Sequence, residues 1–455
     1  MERAQENNLI HLLEKAWHGT FRKLVYPGFR LSYGGICDCL LFSLFVLPTY
    51  FGIRFFFFDL TAFRFFEILV LYLIFKKETR KREFMRLIRL CPHSIFIAAF
   101  FFIVVYTNVY HRSFSAIFYW LMNGIFTFYL VAYLIIYEYG IEEFLKKVRL
   151  FTWFLVLVSP LELVIGRTPF SILDTLGKSS YNERFGNLRI MGNCSTTNGY
   201  AMYLCILLPF ICYDYKRKRM DVLKNGWLLL FLMVNVLLTG SRLSVGIGIL
   251  EIVLCILAQD RKTLRKTLLT GLVALPIIVV AAFLFRNHPL VNSMLLAFFS
   301  AVDEVFETSI SVKFGADASI LYNSSHYRDL LVEGTFGGGW LNPFMGRGTN
   351  YVFQMYVDGY YIRSTDNFYV GQFIAYAYPG LITWLLMSAS FLISAVAKFY
   401  KRREFIFWAA IVSIVGYFIS LWYLDQLQTF PIMFAVFGVV YACAVLGKQK
   451  DKERL

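Results

Sequence analysis

Long apolar runs, each followed by a short polar segment, constrain this chain more than any other feature. A helix needs about 20 apolar residues to cross the roughly 30 Å hydrocarbon core of a bilayer. Hydrophobic residues make up 58% of the 455 residues and charged residues only 16%, whereas soluble domains carry roughly a quarter charged residues. We therefore predict an all-α integral membrane protein with about 12 transmembrane helices, near residues 31–50, 56–75, 92–109, 114–137, 150–166, 197–213, 225–240, 243–258, 267–285, 366–397, 405–422 and 429–446.

The positive charge follows the same alternation. The net charge is +15, and most of the Lys and Arg residues lie in alternate polar segments between the predicted helices and in the two terminal segments. This distribution follows the positive-inside rule, so we predict that both termini are cytoplasmic and that nucleic acid is not a partner. Residues 1–30 are polar and mixed in charge, which predicts an uncleaved first helix rather than a removed signal peptide. The basic segments are 1–30, 76–89, 142–149, 215–219, 260–266, 398–403 and 448–454.

Three parts are expected along the chain. Residues 1–285 form an N-terminal transmembrane bundle of about nine helices, with an external loop near 167–196. Residues 286–365 form one large external loop, and its amphipathic stretch at 291–310 is expected to lie along the membrane surface. Residues 366–455 form the C-terminal transmembrane helices and a basic cytoplasmic tail. The eight cysteines form no Cys and His pattern with metal-ligand spacing, so we expect no metal and no cofactor.

The external cations are nearly all arginine, whereas Lys and Arg are mixed on the cytoplasmic side. Guanidinium presents a planar fork that binds phosphate or carboxylate through two hydrogen bonds. An external anionic ligand such as a diphosphate explains this bias; salt bridges with Glu183, Asp303, Glu333 or Asp358 are the alternative. The external cations are Arg54, Arg64, Arg112, Arg167, Lys178, Arg184, Arg189, Arg242, Arg286, Lys313, Arg328, Arg347 and Arg363.

Arg242 stands between two apolar runs with almost no loop, so its turn is expected slightly below the outer surface. An arginine there costs a few kcal/mol unless it faces water, a partner or a ligand, and snorkelling or pairing with an acid is the alternative. Arg64 and Glu67 are one helical turn apart and are predicted to form a structural ion pair, although Arg64 also has the reach for an external phosphate. Glu162 and Glu251 lie in apolar runs, either as proton-relay residues or as hydrogen-bond partners of a neighbouring helix.

An ordered set of motifs resembles the O-antigen polymerase and O-antigen ligase superfamily of membrane glycosyltransferases. The first holds spaced basic residues and an Asn-rich helix start, the second a Ser-Arg turn after an apolar run. The remaining three form a long external loop with an arginine, a Gly-rich turn and a closing segment. In chain order they are RFGNLRIMGNCSTTNGYAMYL (184–204), TGSRLSVGIG (239–248), HYRDLL (326–331), NPFMGRGTNY (342–351) and TDNFYVGQFIAYAYPGL (365–381).

The resemblance implies a GT-C-like membrane glycosyltransferase at the outer face of the plasma membrane. Its donor would be an undecaprenyl-diphosphate-linked oligosaccharide, used without a metal or a nucleotide sugar. Arg242 and Arg328 would hold the diphosphate and act in catalysis, assisted by Arg184, Arg189 and Arg347. Preorganised guanidinium groups suit this chemistry because a departing lipid diphosphate develops negative charge. A flippase and a chain-length regulator are the protein partners that such an enzyme implies, in a membrane-lipid environment.

One position separates the two branches of that superfamily. Ligases carry a histidine just before an Asn near the end of the long loop, where this chain has Asp366 before Asn367. A polymerase is therefore favoured, with Asp366 either as the base for the acceptor hydroxyl or as a helix N-cap. His326 is a second base candidate, or a solvated loop residue. The alternatives are a ligase that transfers glycan to a lipid or protein acceptor, and a flippase for lipid-linked oligosaccharides.

Overall fold

The computed structural model describes residues 32–56, 58–179, 183–184, 187–315, 318–337, 339–357, 359–423 and 427–453. Within these residues the fold is all-α, with four small antiparallel ribbons of two strands each. The helices are α1 Tyr33–Phe45, α2 Ala62–Lys76, α3 Glu78–Leu90, α4 Ser94–Tyr110, α5 Phe114–Ile165, α6 Thr197–Ile211, α7 Gly226–Leu238, α8 Arg242–Leu257, α9 Arg261–Leu284, α10 Pro289–Phe306, α11 Ile310–Lys313, α12 Ala318–Gly337, α13 Phe368–Arg402, α14 Phe405–Leu421 and α15 Phe430–Glu453. The strands are β1 Gly52–Phe55, β2 Phe58–Thr61, β3 Glu183–Arg184, β4 Asn187–Leu188, β5 Tyr213–Asp214, β6 Arg219–Met220, β7 Met355–Val357 and β8 Tyr360–Ile362.

Each apolar run overlaps a described helix, and several of these helices can span a membrane. By length and composition, five of those described are sufficient on their own, and the bent pair of α3 and α4 makes a sixth if it counts as one span. These features make the chain a multi-pass membrane protein of the all-α class. The five are Phe114–Ile165, Arg261–Leu284, Pro289–Phe306, Phe368–Arg402 and Phe430–Lys448.

The exposure of α9 shows why lipid is needed. Its apolar side chains cover nearly every face and remain largely uncovered by protein; Leu272 is 72% exposed and Val273 is 65% exposed. A continuous apolar surface of this kind is rare on a soluble monomer. By contrast, α6 is buried along almost its whole length between α8 and α14. The bundle therefore has an inner helix shielded by protein and an outer helix that suits hydrocarbon.

The basic segment after α2 is helical rather than an irregular connection. Phe84 and Leu87, three residues apart on α3, are buried on one face, while the guanidinium of Arg80 lies 3.4 Å from the centre of the Tyr33 ring. Pro92 follows immediately, and proline disfavours helical backbone in the residue before it. The chain bends by 89° between α3 and α4. An amphipathic helix is thus joined at a right angle to an apolar one.

The structure corrects the predicted start of the second helix. The second helix was expected to begin near residue 56, but Phe58–Thr61 form strand β2 of the β1–β2 hairpin, and α2 begins at Ala62. Arg54 and Asp59 face each other across the hairpin, and opposite charges at such positions stabilise paired strands. Thr61 caps α2 by accepting a hydrogen bond from the backbone N–H of Arg64 at 3.4 Å. A charged hairpin therefore precedes the helix.

The amphipathic stretch at 291–310 forms most of α10, which packs against α7 and α8. Asp303 fixes the chain reversal beyond its end. One carboxylate oxygen accepts hydrogen bonds from the Thr308 hydroxyl at 2.6 Å and the Ile310 N–H at 2.7 Å, and the other accepts from the Ser311 N–H at 2.8 Å. The next residue, Glu304, is thereby held at a defined place beside the α7–α8 turn.

A break in α13 receives the Gly-rich loop. Ala377 has φ of +54°, outside the helical region, and Pro379 cannot donate the hydrogen bond that the carbonyl four residues earlier would normally accept. That carbonyl, on Ala375, instead accepts from the Gly348 N–H at 3.0 Å, and the neighbouring Ile374 carbonyl accepts from the Arg347 N–H at 2.8 Å. The loop thus replaces the missing helical bonds and is anchored in the bundle.

Gly346 is the residue on which this anchoring depends. A Cβ placed on it would lie 2.2 Å from the Ala375 carbonyl oxygen, a backbone atom that cannot move aside. We expect Gly346→Ala to lower the free energy of unfolding by about 1–3 kcal/mol, because an added methyl group overpacks the contact. Thermal unfolding in detergent measures the change.

Gly246→Ala is the matched control. Gly246 lies within α8 and a Cβ there would meet nothing within 4 Å, so alanine should be neutral or stabilising by about 1 kcal/mol through its helix propensity. Equal destabilisation by the two substitutions would contradict the proposed anchoring role of Gly346.

Candidate functional site

The site begins at the short turn between α7 and α8. Leu238 is the last residue of α7 and Arg242 the first of α8, so the turn is as short as the sequence indicates. Gly240 has φ of +62°, a conformation that glycine adopts without steric cost. The hydroxyls of Ser241 and Ser244 lie 3.0 Å apart and close the first turn of α8. The Arg242 side chain is therefore presented from a rigid helix start.

Arg189 supports this turn from the side. Its Nε donates to the Thr239 carbonyl at 2.5 Å, and one terminal nitrogen donates to the Asn198 side chain at 3.3 Å. Gly240 also leaves room for Arg189, because a Cβ there would lie 3.1 Å from its Nε. The side chain is buried. Arg189 is thus a neighbour of Arg242 through the turn, consistent with the predicted assisting position.

Glu304 joins the two arginines to which the resemblance assigns the diphosphate. One of its carboxylate oxygens lies 3.4 Å from a terminal nitrogen of Arg242, and the other lies 4.0 Å from a terminal nitrogen of Arg328. The exposed fractions of the three side chains are 13% for Arg242, 21% for Arg328 and 34% for Glu304. Residues 86 positions apart in the chain therefore meet at one carboxylate.

The meeting of two cations with one anion leaves excess positive charge. Glu304 compensates one of the two guanidinium charges, so the three groups together carry a net positive charge. The Arg328 guanidinium also lies 5.1 Å from the centre of the Tyr423 ring, a cation–π contact that leaves its hydrogen-bond donors available. A partly enclosed pair of arginines with one counter-ion suits an anion with more than one charge, because each guanidinium forms two hydrogen bonds to phosphate.

One base candidate, His326, is two residues before Arg328, and the other, Asp366, is connected to the same segment by hydrogen bonds. The Tyr327 hydroxyl, one residue before Arg328, donates to the Ser364 carbonyl at 2.8 Å, and the Ser364 hydroxyl donates to Asp366 at 2.6 Å. Asp366 is exposed. The N-cap of α13 is Asn367, whose side chain accepts from the Val370 N–H, so Asp366 does not fill the capping role that was its alternative.

The remaining predicted residues lie in several places. The His326 ring packs edge-on against Tyr360, with 5.2 Å between ring centres. Arg347 donates to the Trp340 carbonyl at 3.3 Å and lies over the Trp340 and Tyr351 rings. Its contacts hold it within the Gly-rich loop rather than at Glu304. Arg184 belongs to β3, but its side chain falls outside the residues that the structure describes.

Arg64 and Glu67 bond to different groups. Arg64 donates to the Asp59 backbone carbonyl at 2.5 Å and to the Asn123 side chain at 3.3 Å. Glu67 is buried and accepts from the Thr127 hydroxyl at 3.3 Å. Their hydrogen bonds thus connect α2 to the hairpin and to α5, in place of the predicted bond between them.

The two other acids in apolar runs differ in their surroundings. Glu162 accepts from the N–H groups of Met191 and Gly192 at 2.9 and 3.3 Å, so its partner is a loop rather than the neighbouring helix of the hydrogen-bonding alternative. Glu251 is buried on α8 and lies against Gly416 of α14, where an added Cβ would be 2.3 Å from its carboxylate. Through its two bonds to backbone N–H groups, Glu162 holds the loop that leads from Arg189 into α6.

An apolar groove shares α12 and the end of α14 with the surroundings of Arg328. It has a volume of about 610 Å³ and runs between the end of α12 and helices α13 and α14. Trp422, at one end of the groove, is the residue before Tyr423, which packs on Arg328. Phe336 lies eight residues after Arg328 on α12, about 12 Å along the helix axis. The groove is lined by Phe336, Tyr369, Leu385, Val415, Phe418 and Trp422.

Sequence reasoning missed the residues that complete this arrangement. It named Asp303 as an acid available for salt bridges, but Asp303 bonds to the backbone and the neighbouring Glu304 meets the arginines. The helical period was the available signal, because successive residues of α10 face different directions. Tyr423 and the groove have no local signal, since they depend on how α12 packs against α13 and α14.

Glu304→Gln tests the shared carboxylate. The substitution keeps the shape but leaves two guanidinium groups facing each other without a counter-ion. We expect the free energy of unfolding to fall by about 1 kcal/mol at low salt, the size of a partly exposed ion pair. The loss should shrink in about 1 M salt, where the screening length is about 3 Å. Thermal unfolding at both salt concentrations measures it. Glu333→Gln, an exposed carboxylate on the same external region, should cause no such shift, and equal shifts would contradict the pairing.

Comparison with known proteins adds no relative to this description. The chain matches no protein-family model, and it matches no curated protein. The function therefore has to be argued from the arginine pair, the groove beside it and the motifs of the sequence.

Proposed function

We propose that this protein is a polysaccharide polymerase that joins lipid-diphosphate-linked oligosaccharide repeat units at the outer face of the plasma membrane. The observation that carries the proposal is the meeting of Arg242 and Arg328 at Glu304, together with an apolar groove lined by Trp422, the residue before the tyrosine that packs on Arg328. A lipid diphosphate has the matching form, with a multiply charged head next to a long apolar chain. The product would be an exopolysaccharide, a capsule or an O-antigen.

The proposed topology has about twelve spans in a GT-C-like arrangement, with both termini cytoplasmic. The alternation of basic segments supports this orientation. It assigns the α7–α8 turn and residues 286–365 to the outer side. Helices as short as α6 remain compatible with it, because a helix shielded by protein does not need to match the full hydrocarbon thickness.

The donor head would bind to the arginine pair. Its phosphate oxygens would accept hydrogen bonds from the guanidinium groups of Arg242 and Arg328, which one carboxylate only partly neutralises. Arg189 would contribute by holding the turn that carries Arg242, since it bonds to the Thr239 carbonyl. This arrangement stabilises the charge of the departing diphosphate through fixed donors, and it uses residues that the chain itself supplies.

The polyprenyl chain of the donor would lie in the apolar groove. The groove opens between helices, and its lining is almost wholly hydrocarbon and aromatic. Its near end is at Trp422, one residue from the tyrosine that packs on Arg328. The head and the chain of one lipid would therefore bind to adjoining parts of the protein without bending back.

The reaction would transfer the growing glycan from its lipid diphosphate to the incoming unit. A hydroxyl of the acceptor sugar attacks C1 of the donor sugar, the new C–O bond forms, and the bond from C1 to the diphosphate oxygen breaks. Asp366 would take the hydroxyl proton, with His326 as the second candidate. The lipid diphosphate leaves with the bonding electron pair, and its charge is held by Arg242 and Arg328. Each step balances without an added oxidant or reductant.

Two alternatives keep specific support. A ligase would use the same donor but transfer the finished glycan to a lipid or protein acceptor; the acidic residue at Asp366, where ligases of the resembled superfamily carry histidine, favours the polymerase. A flippase for lipid-linked oligosaccharides would need charged groups along a central path through the membrane. The arginine pair is instead next to the external loop, which favours a transferase. A flippase and a chain-length regulator would then be partners of this protein.

The activity is tested with purified protein and a synthetic lipid-linked repeat unit, with products separated by length. We expect a ladder of products for the unaltered protein. Arg242→Ala and Arg328→Ala should each lower the rate about 100-fold or more, the cost of losing one donor to a developing anion. Arg286→Ala, an exposed external arginine beyond α9, should keep the ladder. Movement of the lipid across vesicles without a new glycosidic bond would overturn the proposal in favour of the flippase.

The tail position is tested by filling the groove. Val415→Trp should obstruct it and raise KM for a donor with a full-length polyprenyl chain, with little effect on a donor whose chain is too short to enter. Ile393→Trp is the control, because Ile393 is 67% exposed on α13 and does not line the groove. Equal effects of Val415→Trp on long and short donors would place the chain elsewhere.

A further inference from the structure

A second set of external cations surrounds a cavity that the predicted site does not use. The cavity has a volume of about 570 Å³, within the range of sites for small ligands, about 300–1,000 Å³. Its walls come from the β1–β2 hairpin, the end of α1, the first turns of α5, the loop before α6 and the start of α15. Thr175 holds the hairpin in place, because its hydroxyl bonds to the backbone of Gly52.

The charges of this cavity centre on Asp59. Its carboxylate forms an ion pair with Lys178, and the Arg54 Nε lies 3.8 Å from it. The third cation, Arg64, bonds to the Asp59 backbone carbonyl and the Asn123 side chain, so Asp59 does not consume its charge through a carboxylate bond. Three cations therefore line the cavity together with one carboxylate, and the lining carries excess positive charge.

The rest of the lining has the character of a sugar site. The Tyr119 side chain, only partly buried, offers aromatic surface of the kind that packs against the apolar face of a sugar ring. Amide and hydroxyl groups of the lining can bond to sugar hydroxyls, and Gln428 is already held in place by the N–H and hydroxyl of Ser195 at 2.9 and 2.7 Å. Aromatic walls with a few fixed polar groups are typical of small-molecule recognition. Inorganic phosphate has no apolar face for an aromatic wall to contact, so these walls favour a sugar.

Two chain segments connect this cavity to the arginine pair. Gln428 lines the cavity, and Tyr423, five residues before Gln428, packs on Arg328. Five extended residues reach at most about 18 Å. The loop from Arg189, which supports the Arg242 turn, likewise leads within a few residues to Ser195 at the cavity wall. The distance between the cavity and the two arginines is therefore one that a short oligosaccharide can span.

We propose that this cavity binds an anionic saccharide, a sugar that carries a carboxylate or a phosphate group. Arg54, Lys178 and Arg64 take the anion, and the aromatic and amide walls take the sugar ring. Its meaning for catalysis rests on the proposed function: the bound sugar belongs to the acceptor unit and is held within reach of the donor at Arg242 and Arg328. The repeat unit that this protein polymerises then contains an acidic or phosphorylated sugar.

Binding is measured on the purified full chain in detergent, by calorimetry with glucuronate, glucose 1-phosphate, methyl glucoside and inorganic phosphate. We expect glucuronate or glucose 1-phosphate to bind at least tenfold more tightly than methyl glucoside and inorganic phosphate, and the preferred one of the two identifies the anion. Lys178→Gln and Arg54→Gln should each weaken that binding about tenfold, the loss of one charged hydrogen bond. Both side chains are at least half exposed, so the fold should be kept.

Arg286→Gln is the control for total charge and should leave the affinity unchanged. Three results would overturn the proposal: equal binding of methyl glucoside, equal binding of inorganic phosphate, or affinities that Lys178→Gln and Arg54→Gln do not change. The outcome is separate from that of the polymerisation assay. Glycan ladders without anionic-sugar binding would reject the cavity site alone, whereas binding without ladders would keep the site and reject the polymerase.

Discussion

The carboxylate of Glu304 is the contact on which the proposed site depends. It brings together Arg242, from the start of one helix, and Arg328, from a helix of the external region. Two guanidinium groups that contact the same carboxylate are close enough to repel each other, so the acid is needed to hold them together. Because it neutralises only one of them, the site remains attractive to an anion. The same contact thus provides both the assembly of the site and its charge.

The position of Glu304 depends in turn on backbone groups. Asp303 fixes the end of α10 by accepting hydrogen bonds from residues 308, 310 and 311, and α10 packs on the two helices that flank the Arg242 turn. On the other side, Arg189 holds that turn through the Thr239 carbonyl. The arginine pair is therefore built on helix ends and buried bonds, which is the kind of support that fixes charged groups before a ligand arrives.

The positions of the helices could be predicted because apolar runs record them directly, as at α9. The β1–β2 hairpin could not, because the Phe-rich run before Ala62 has the apolar content of a membrane helix. The hairpin is recognised only in the structure, where Arg54 pairs with Asp59 across the two strands. The placement of α10 was also beyond the sequence: its amphipathic pattern fits a membrane surface as well as a helix packed on α7 and α8. Periodicity identifies an apolar face but not the surface that covers it.

The site was predictable to a similar depth. Arg242 could be singled out because a very short turn between apolar runs limits where its side chain can go, and the motif order joined it to Arg328. The partner Glu304 and the groove depend on contacts between distant helices, for which residue spacing gives no information. The role of Asp366 as an N-cap was open from the sequence, since Asp and Asn both cap helices; the hydrogen bond that the Val370 N–H donates to the Asn367 side chain assigns the cap to Asn367.

Several acids use their carboxylates on backbone N–H groups and therefore do not neutralise the arginines. Glu162 uses its carboxylate on the N–H groups of Met191 and Gly192, and Asp303 uses its own on the turn after α10. Asp174 likewise accepts from the backbone of Lys178 and Ser179 at 3.1 and 2.8 Å. Acids that bond to backbone N–H groups shape loops and do not compensate guanidinium. Asp59 and Glu304 are then each left beside more cations than one carboxylate compensates, so both sites keep the excess positive charge that an anionic donor and an anionic acceptor sugar would neutralise.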